Sequence, residues 1–436
     1  RIRRPVGAPL TAFRRYDLSG RGLRYTKVIR WRFYPGKNTM TTKNLLIAVL
    51  LLGCFLLYGG DTQRPGLERL SWEYGISDSV EQALVMALKD PLLQELNVEA
   101  ALQQWFDGRL LHSQNKQEAA REKWHQGMTL LDNLQPLPPL SYGAAPKAEF
   151  SFLSELKLPN FDDVQMQVVS WQVNNLRQYG LLLAPRKKTP GQKYPLILYG
   201  HGAAFGLPNS FCAWLAQHLV RKGYIVAAPA LRGEPLFQMQ IPINGKELVC
   251  DGEIENLDGE VDDCLAMLDA AWKLPYVRKD EFAMLGHSFG AGVSLLAVAR
   301  MGEAAKAAVS YDAWLVNPQR YYWDRMRRGA NNWLSWEDYC NQPVKKQLRG
   351  LQKRSLLHHV EGIQAPLLLF MGGGYEGSVF HLSHEDLCKK LKAHNKKYRY
   401  VLVPNGDHNF VLRDGAPARF ALPIQQKFLQ EHYPAN

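Results

Sequence analysis

The chain has 436 residues, 46% of them hydrophobic and 22% charged, enough to bury one large α/β core with something smaller in front of it. Its net charge of +12 is uneven: residues 1–39 hold eleven Lys and Arg against Asp17 alone, and everything after them carries only +2. That near-neutral body excludes a nucleic-acid binder by charge.

Residues 1–39 show no apolar periodicity and scattered Gly and Pro, so they read as an unstructured basic leader, with Met40 the more natural start. Residues 40–60 follow with Lys43, an apolar run from Leu45 to Tyr58, and Gly59-Gly60-Asp61, the layout of a secretory signal or short membrane anchor. Leu51-Leu52-Gly53-Cys54 resembles a bacterial lipobox, although Phe55-Leu56-Leu57-Tyr58 stays apolar where a lipoprotein turns polar. The expectation is an exported or membrane-associated protein.

Residues 61–150 predict helices. Asp78 is an N-cap for a helix whose Val80, Leu84, Ala87 and Leu88 recur at helical spacing up to Pro91. Further helices are expected over 98–106 and 117–134, and Pro136-Leu137-Pro138-Pro139 marks the boundary. This region offers no chemistry and is too short for a multi-bladed propeller.

From 151 to 436 strand and helix signals alternate, the mark of a mostly parallel sheet with helices on both faces. Leu181-Leu182-Leu183 and Leu196-Ile197-Leu198-Tyr199 read as strands, the second running into His201-Gly202-Ala203. A helix with Phe211, Trp214, Leu215 and Leu219 on one face stops at Gly223, and Tyr224-Ile225-Val226-Ala227-Ala228 is the next strand. The apolar strand Phe282-Ala283-Met284-Leu285 then enters Gly286-His287-Ser288-Phe289-Gly290 and a helical run. Strand, G-x-S-x-G and helix together define a nucleophile elbow, which exposes Ser288 and aims the Phe289 N–H at a developing oxyanion. In this arrangement Gly202 and Ala203, on the His-Gly turn, supply the second oxyanion donor. Residues 313–356 hold nine Lys and Arg against three acids, with Trp314, Tyr321, Tyr322, Trp323, Trp333, Trp336 and Tyr339, and read as a lid or packed cap. His408 follows the last strand, where the general base belongs, in the chain order serine, acid, histidine.

Two carboxylates compete to orient His408. Asp312 follows the strand after the elbow helix, whereas Glu376, in Gly374-Tyr375-Glu376-Gly377, follows the next strand, the commoner position. Asp407 is a weaker third. The elbow, the Asp312-Ala313-Trp314 triplet, Gly223-Tyr224-Ile225-Val226-Ala227-Ala228 and His408-Asn409-Phe410 resemble the platelet-activating-factor acetylhydrolases, whose acid is the Asp of that triplet. Glu376 with Val379 three residues on, and Arg232-Gly233, instead resemble dienelactone hydrolases and the catalytic domain of prolyl oligopeptidases, whose acid is normally Asp. The resemblance covers roughly residues 180–430; it implies the α/β-hydrolase fold and favours Asp312, leaving the other carboxylate to cap a turn.

The remaining polar groups suggest little. His381 and His384 share helical spacing but have no evident third ligand, His358-His359 reads as a solvated turn, and Cys212, Cys250, Cys264, Cys340 and Cys388 form no C-x-x-C, so pairing is undetermined. No cofactor or metal is implied. The reading is a serine hydrolase acting on carboxylic esters, with short-chain or phospholipid substrates and a membrane surface as expected partners. The alternatives are an oligopeptidase, which usually needs a propeller gate, and a surface-anchored binding protein that keeps the fold without turnover, against which intact Ser288 and His408 argue.

Overall fold

The structure, a computed structural model, describes residues 76, 78–202, 206–239, 241–328 and 343–435. The basic leader and the apolar run at 45–58 lie outside these residues, and no helix among the described residues is long and apolar enough to cross a membrane.

Asp78 caps the first described helix, α1 (Ser79–Ala87), by accepting the Val80 N–H at 2.8 Å. The expected stop at Pro91 does not occur. A short α2 (Lys89–Leu93) carries Pro91 within its first turn, where a missing N–H costs no intrahelical bond. Helices α3 (Glu99–Ser113) and α4 (Gln117–Thr129) complete the N-terminal group. Gly108 permits their close approach, since a Cβ there would lie 2.6 Å from Trp124 Cδ1. Glu81 is buried among them and accepts from Trp105 Nε1 at 3.1 Å and Arg109 at 3.0 Å. Removing either donor would leave a buried charge under-satisfied.

The sheet begins with β1 (Ser151–Leu156), β2 (Val164–Val173) and β3 (Leu176–Pro185), all antiparallel neighbours. Asn174 and Asn175, with φ of +50° and +64°, form the two-residue turn between β2 and β3; both need the left-handed region that asparagine tolerates. There follow β4 (Leu196–Gly200), α5 (Phe211–His218), β5 (Ile225–Pro229), α6 (Gly259–Trp272), β6 (Phe282–His287), α7 (Ser288–Met301) and β7 (Ala305–Tyr311). Helices α8 (Pro318–Arg328) and α9 (Val344–Arg354) precede β8 (Leu367–Gly372), α10 (Val379–Ala393), β9 (Tyr398–Val403) and α11 (Ala416–His432). The strand order is β1-β2-β3-β5-β4-β6-β7-β8-β9, parallel from β5 onward. This is the α/β-hydrolase fold with an extra antiparallel strand at one edge.

Strand alternation divides the core between the two faces: Leu196 and Leu198 of β4 pack in one cluster, Ile197 and Tyr199 in the other. The first cluster also contains Leu84, Leu102, Trp105 and Trp124, so the N-terminal helices share a core with α6 and α7. The proline segment therefore does not separate two cores. It is itself held down, with Gln352 Nε2 donating to the Pro138 carbonyl at 2.8 Å.

The described ends of the region expected as a lid form a packed layer. Val344, Leu348 and Leu351, at helical spacing along α9, are buried, and Trp323 Nε1 donates to the Val85 carbonyl at 2.8 Å. Trp333, Trp336 and Tyr339 lie outside the described residues. His358-His359 is not a solvated turn: His358 Nδ1 pairs with Glu95 at 3.1 Å, and His359 Nε2 lies 2.6 Å from the Tyr142 hydroxyl, tying the N-terminal region to the sheet domain. All of this leaves the C-terminal ends of β6, β7 and β9 converging at one edge, where parallel sheets place their sites.

Candidate active site

The elbow follows from its glycines. A Cβ on Gly286 would lie 2.6 Å from Ala291 Cα and 2.7 Å from the Gly290 carbonyl oxygen, and one on Gly290 would collide with the backbone of Gly200. Only hydrogen at both positions lets the β6–α7 turn close against the end of β4. Ser288 adopts φ of +55°, a strained conformation that costs a non-glycine residue about 1–3 kcal/mol. The Ser288 carbonyl accepts the Trp314 N–H at 2.8 Å, which ties the elbow to the chain leaving β7.

His408 reaches the serine from the loop after β9, with Nε2 2.7 Å from Ser288 Oγ. Its Nδ1 lies 3.7 Å from Asp312 Oδ2, an ion-pair distance slightly beyond a hydrogen bond. Asp312 is fully buried at the end of β7. Its Oδ1 accepts the Gly372 N–H at 2.7 Å, and its Oδ2 has no hydrogen-bond partner, so that oxygen is free for His408. Burial pushes the Asp312 carboxyl up to about 7, against the Gly372 N–H that favours its charge. Burial likewise holds His408 below the ordinary histidine value.

A pH dependence follows. General-base action needs Asp312 ionised and His408 neutral, and on acidification the pair takes up its first proton near pH 7 because Asp312 is raised. Turnover at low substrate should rise through about pH 7 to a plateau. In Asp312→Asn the residual activity should lose this limb and titrate with His408 alone, at lower pH. A kcat/KM profile from pH 5 to 9 checks both.

The other expected acids are not brought to His408. Glu376 is exposed, and none of the hydrogen bonds or ion pairs of its carboxylate among the described residues involves His408. The reason is local: β8 ends at Gly372, and the tight turn Gly373–Tyr375 carries the chain outward before α10. Glu376 does not cap that helix either; Ser378 does, accepting the His381 N–H at 3.3 Å. Asp407 accepts from Asn409 N–H and Arg413 and acts on His408 through its charge alone, opposing the effect of burial.

Phe289 is the second residue of α7, where a helical N–H has no intrahelical acceptor and points toward the serine side. Gly202 flanks it: a Cβ there would meet Ser288 Cβ at 3.3 Å, and its carbonyl accepts from His201 Nδ1 at 2.8 Å. Ala203 lies outside the described residues. Sequence reasoning missed two features. His287, the variable residue of the elbow, is buried against the base loop, and the rings of Tyr375 and Phe380 stand 5.9 and 5.6 Å from that of His408. Phe380 in turn meets Trp314 and Tyr321. An aromatic count could have suggested the rings; nothing local marks the histidine.

His384 is buried within α10 and donates from Nδ1 to the Phe380 carbonyl at 3.0 Å. Among the described residues no group of three His, Cys, Asp or Glu is arranged to hold a metal, and Cys212, Cys250, Cys264 and Cys388 are free thiols.

A family model described as "Prolyl oligopeptidase family" matches residues 209–433, just over half of the chain. Solved structures similar to this one include dipeptidyl peptidase 4 of Porphyromonas gingivalis, 18% identical over 65% of this chain and 35% of that one, TM-score 0.43. Acylaminoacyl peptidase of Pyrococcus horikoshii is 17% identical over 62% of this chain and 42% of that one, TM-score 0.45. Acetyl xylan esterase from Paenibacillus sp. R4 is 16% identical over 65% of this chain and 88% of that one, TM-score 0.47. The chain thus spans less than half the length of each of these two peptidases.

Proposed function

The chain belongs to the prolyl oligopeptidase family of serine hydrolases, and on that premise we propose that it hydrolyses carboxylic esters, with Ser288, His408 and Asp312 as its catalytic groups. Ser288 Oγ attacks the ester carbonyl carbon while His408 Nε2 takes its proton. The oxyanion is held by the Phe289 N–H and by an N–H of the Gly202-Ala203 turn. Collapse expels the alkoxide, which leaves with the proton from His408. Water then gives a proton to His408 and its oxygen to the acyl carbon, releasing the acid and restoring Ser288.

The observation that supports an ester is which carboxylate stands beside His408: Asp312, of the triplet that resembles the platelet-activating-factor acetylhydrolases, and not Glu376. The apolar rings beside His408 suit an acyl chain.

The second reading is a peptidase, favoured by the family match. A panel of esters graded by acyl length, run beside peptide amides, separates the two. Ester kcat/KM is expected to exceed that of matched amides at least a hundredfold, and parity or reversal would favour the peptidase.

A further inference from the structure

His287 precedes the nucleophile and closes β6. It is 3% exposed, and its Nε2 lies 2.7 Å from the main-chain carbonyl oxygen of His408. A carbonyl only accepts, so Nε2 carries the proton and Nδ1 bears the lone pair. Nδ1 is buried with no hydrogen-bond partner and faces Gly202, whose added Cβ would lie 3.1 Å away. A second proton on the ring would be a buried donor without an acceptor, which keeps the ring neutral. By backbone hydrogen bonds the loop carrying His408 is tied within itself and to the turn after β8, Gly406 N–H donating to Val403, Phe410 N–H to Asp407 and Gly374 N–H to Gly406, while the Phe410 ring packs on Tyr311 of β7. None of these bonds reaches the elbow. Among the described residues, and besides the contact of His408 with the serine itself, His287 is thus the side chain whose hydrogen bond links the base loop to the segment bearing the nucleophile.

We propose that His287 is a positioning residue for the general base: as a neutral Nε2–H donor it fixes the His408 main chain relative to the adjacent Ser288, so that base and nucleophile are held by one two-residue segment. The inference deepens the hydrolase reading and rests on it for its kinetic effect. Loss of the donor lets the base loop drift, and a displacement of about 1 Å at the reacting atoms costs on the order of 100-fold in rate. The effect falls on kcat, because His287 does not touch substrate.

Two variants isolate the donor. His287→Phe keeps a ring without an N–H, and His287→Gln restores an amide N–H at nearly the same reach. Three readouts on the full chain are ester kcat and KM, the rate of Ser288 phosphonylation by a fluorophosphonate, and amide hydrogen exchange in a peptide spanning 404–412. His287→Phe is expected to lower kcat and the labelling rate about 100-fold with KM within threefold of wild type, and to speed exchange in that peptide. His287→Gln should lie within tenfold of wild type in rate. Unchanged exchange in His287→Phe, wild-type rates in it, or equal impairment of both variants overturns the proposal. Should His287→Phe fail to fold by circular dichroism, His287→Gln decides alone: near-wild-type exchange and rate support the donor role, and loss of either contradicts it. A wild-type protein inert to esters and fluorophosphonate, with exchange still raised in His287→Phe, refutes the reaction class and leaves the positioning contact standing.

Discussion

Ser288→Ala is expected to lower ester turnover on the order of 10⁶-fold, with circular dichroism and melting temperature close to those of the parent. The elbow is shaped by the glycines at 286 and 290, and alanine carries the same Cβ at the same positive φ, so the turn has no reason to change. What disappears is the atom 2.7 Å from His408 Nε2 that forms the acyl-enzyme. Any residual rate comes from the oxyanion donors and the base acting on water. Activity above a trace in the purified variant would place the nucleophile elsewhere.

Asp312→Asn is expected to lower kcat about 10⁴-fold above pH 7 with KM little changed, and Glu376→Gln to stay within about threefold of wild type. The Asn carbonyl would keep the Gly372 hydrogen bond, turning its amide NH₂ toward His408 Nδ1. That donor requires an unprotonated Nδ1, which puts the ring proton on Nε2, facing Ser288 with a proton where the base needs a lone pair. Loss of the carboxylate also removes the charge that stabilises the imidazolium in the transition state. A reversed ranking of the two variants would assign the acid to Glu376 and overturn the reading of β7 as its source.

Much of this was legible because it is local. The elbow, the apolar strands β4 to β9 and the histidine after the last strand all follow from periodicity and short motifs; their alternation implies a mostly parallel sheet covered on both faces, and the family resemblance implies the α/β-hydrolase fold. Strands β1 and β2 are not among the expected elements, although Asn174-Asn175 between alternating apolar residues is a hairpin signal. The choice between Asp312 and Glu376 is not written in the local pattern, because it depends on which way the chain turns after β8, set by the glycines at 372–374 and the packing of α10. Family membership and geometry cross at this point. The resemblance pointing to prolyl oligopeptidases drew attention to Glu376, yet the carboxylate beside His408 is Asp312. His287, His358 and His359 were opaque for the same reason: each gains its partner from a segment more than 100 residues away, His408, Glu95 and Tyr142 respectively. The joining of the N-terminal helices to the main core is likewise a long-range event, invisible to a proline-rich boundary signal.

The proposed chemistry rests on Ser288 as a nucleophile activated by His408. The direct measurement is reaction of the purified chain with a fluorophosphonate, followed by intact-mass and peptide mass spectrometry across pH 5 to 9. One phosphonyl group per chain is expected, on the peptide containing Ser288, forming at a rate that rises through about pH 7 as the His408–Asp312 pair loses its proton. An adduct on another residue, or no adduct from a preparation that still hydrolyses esters, would contradict it.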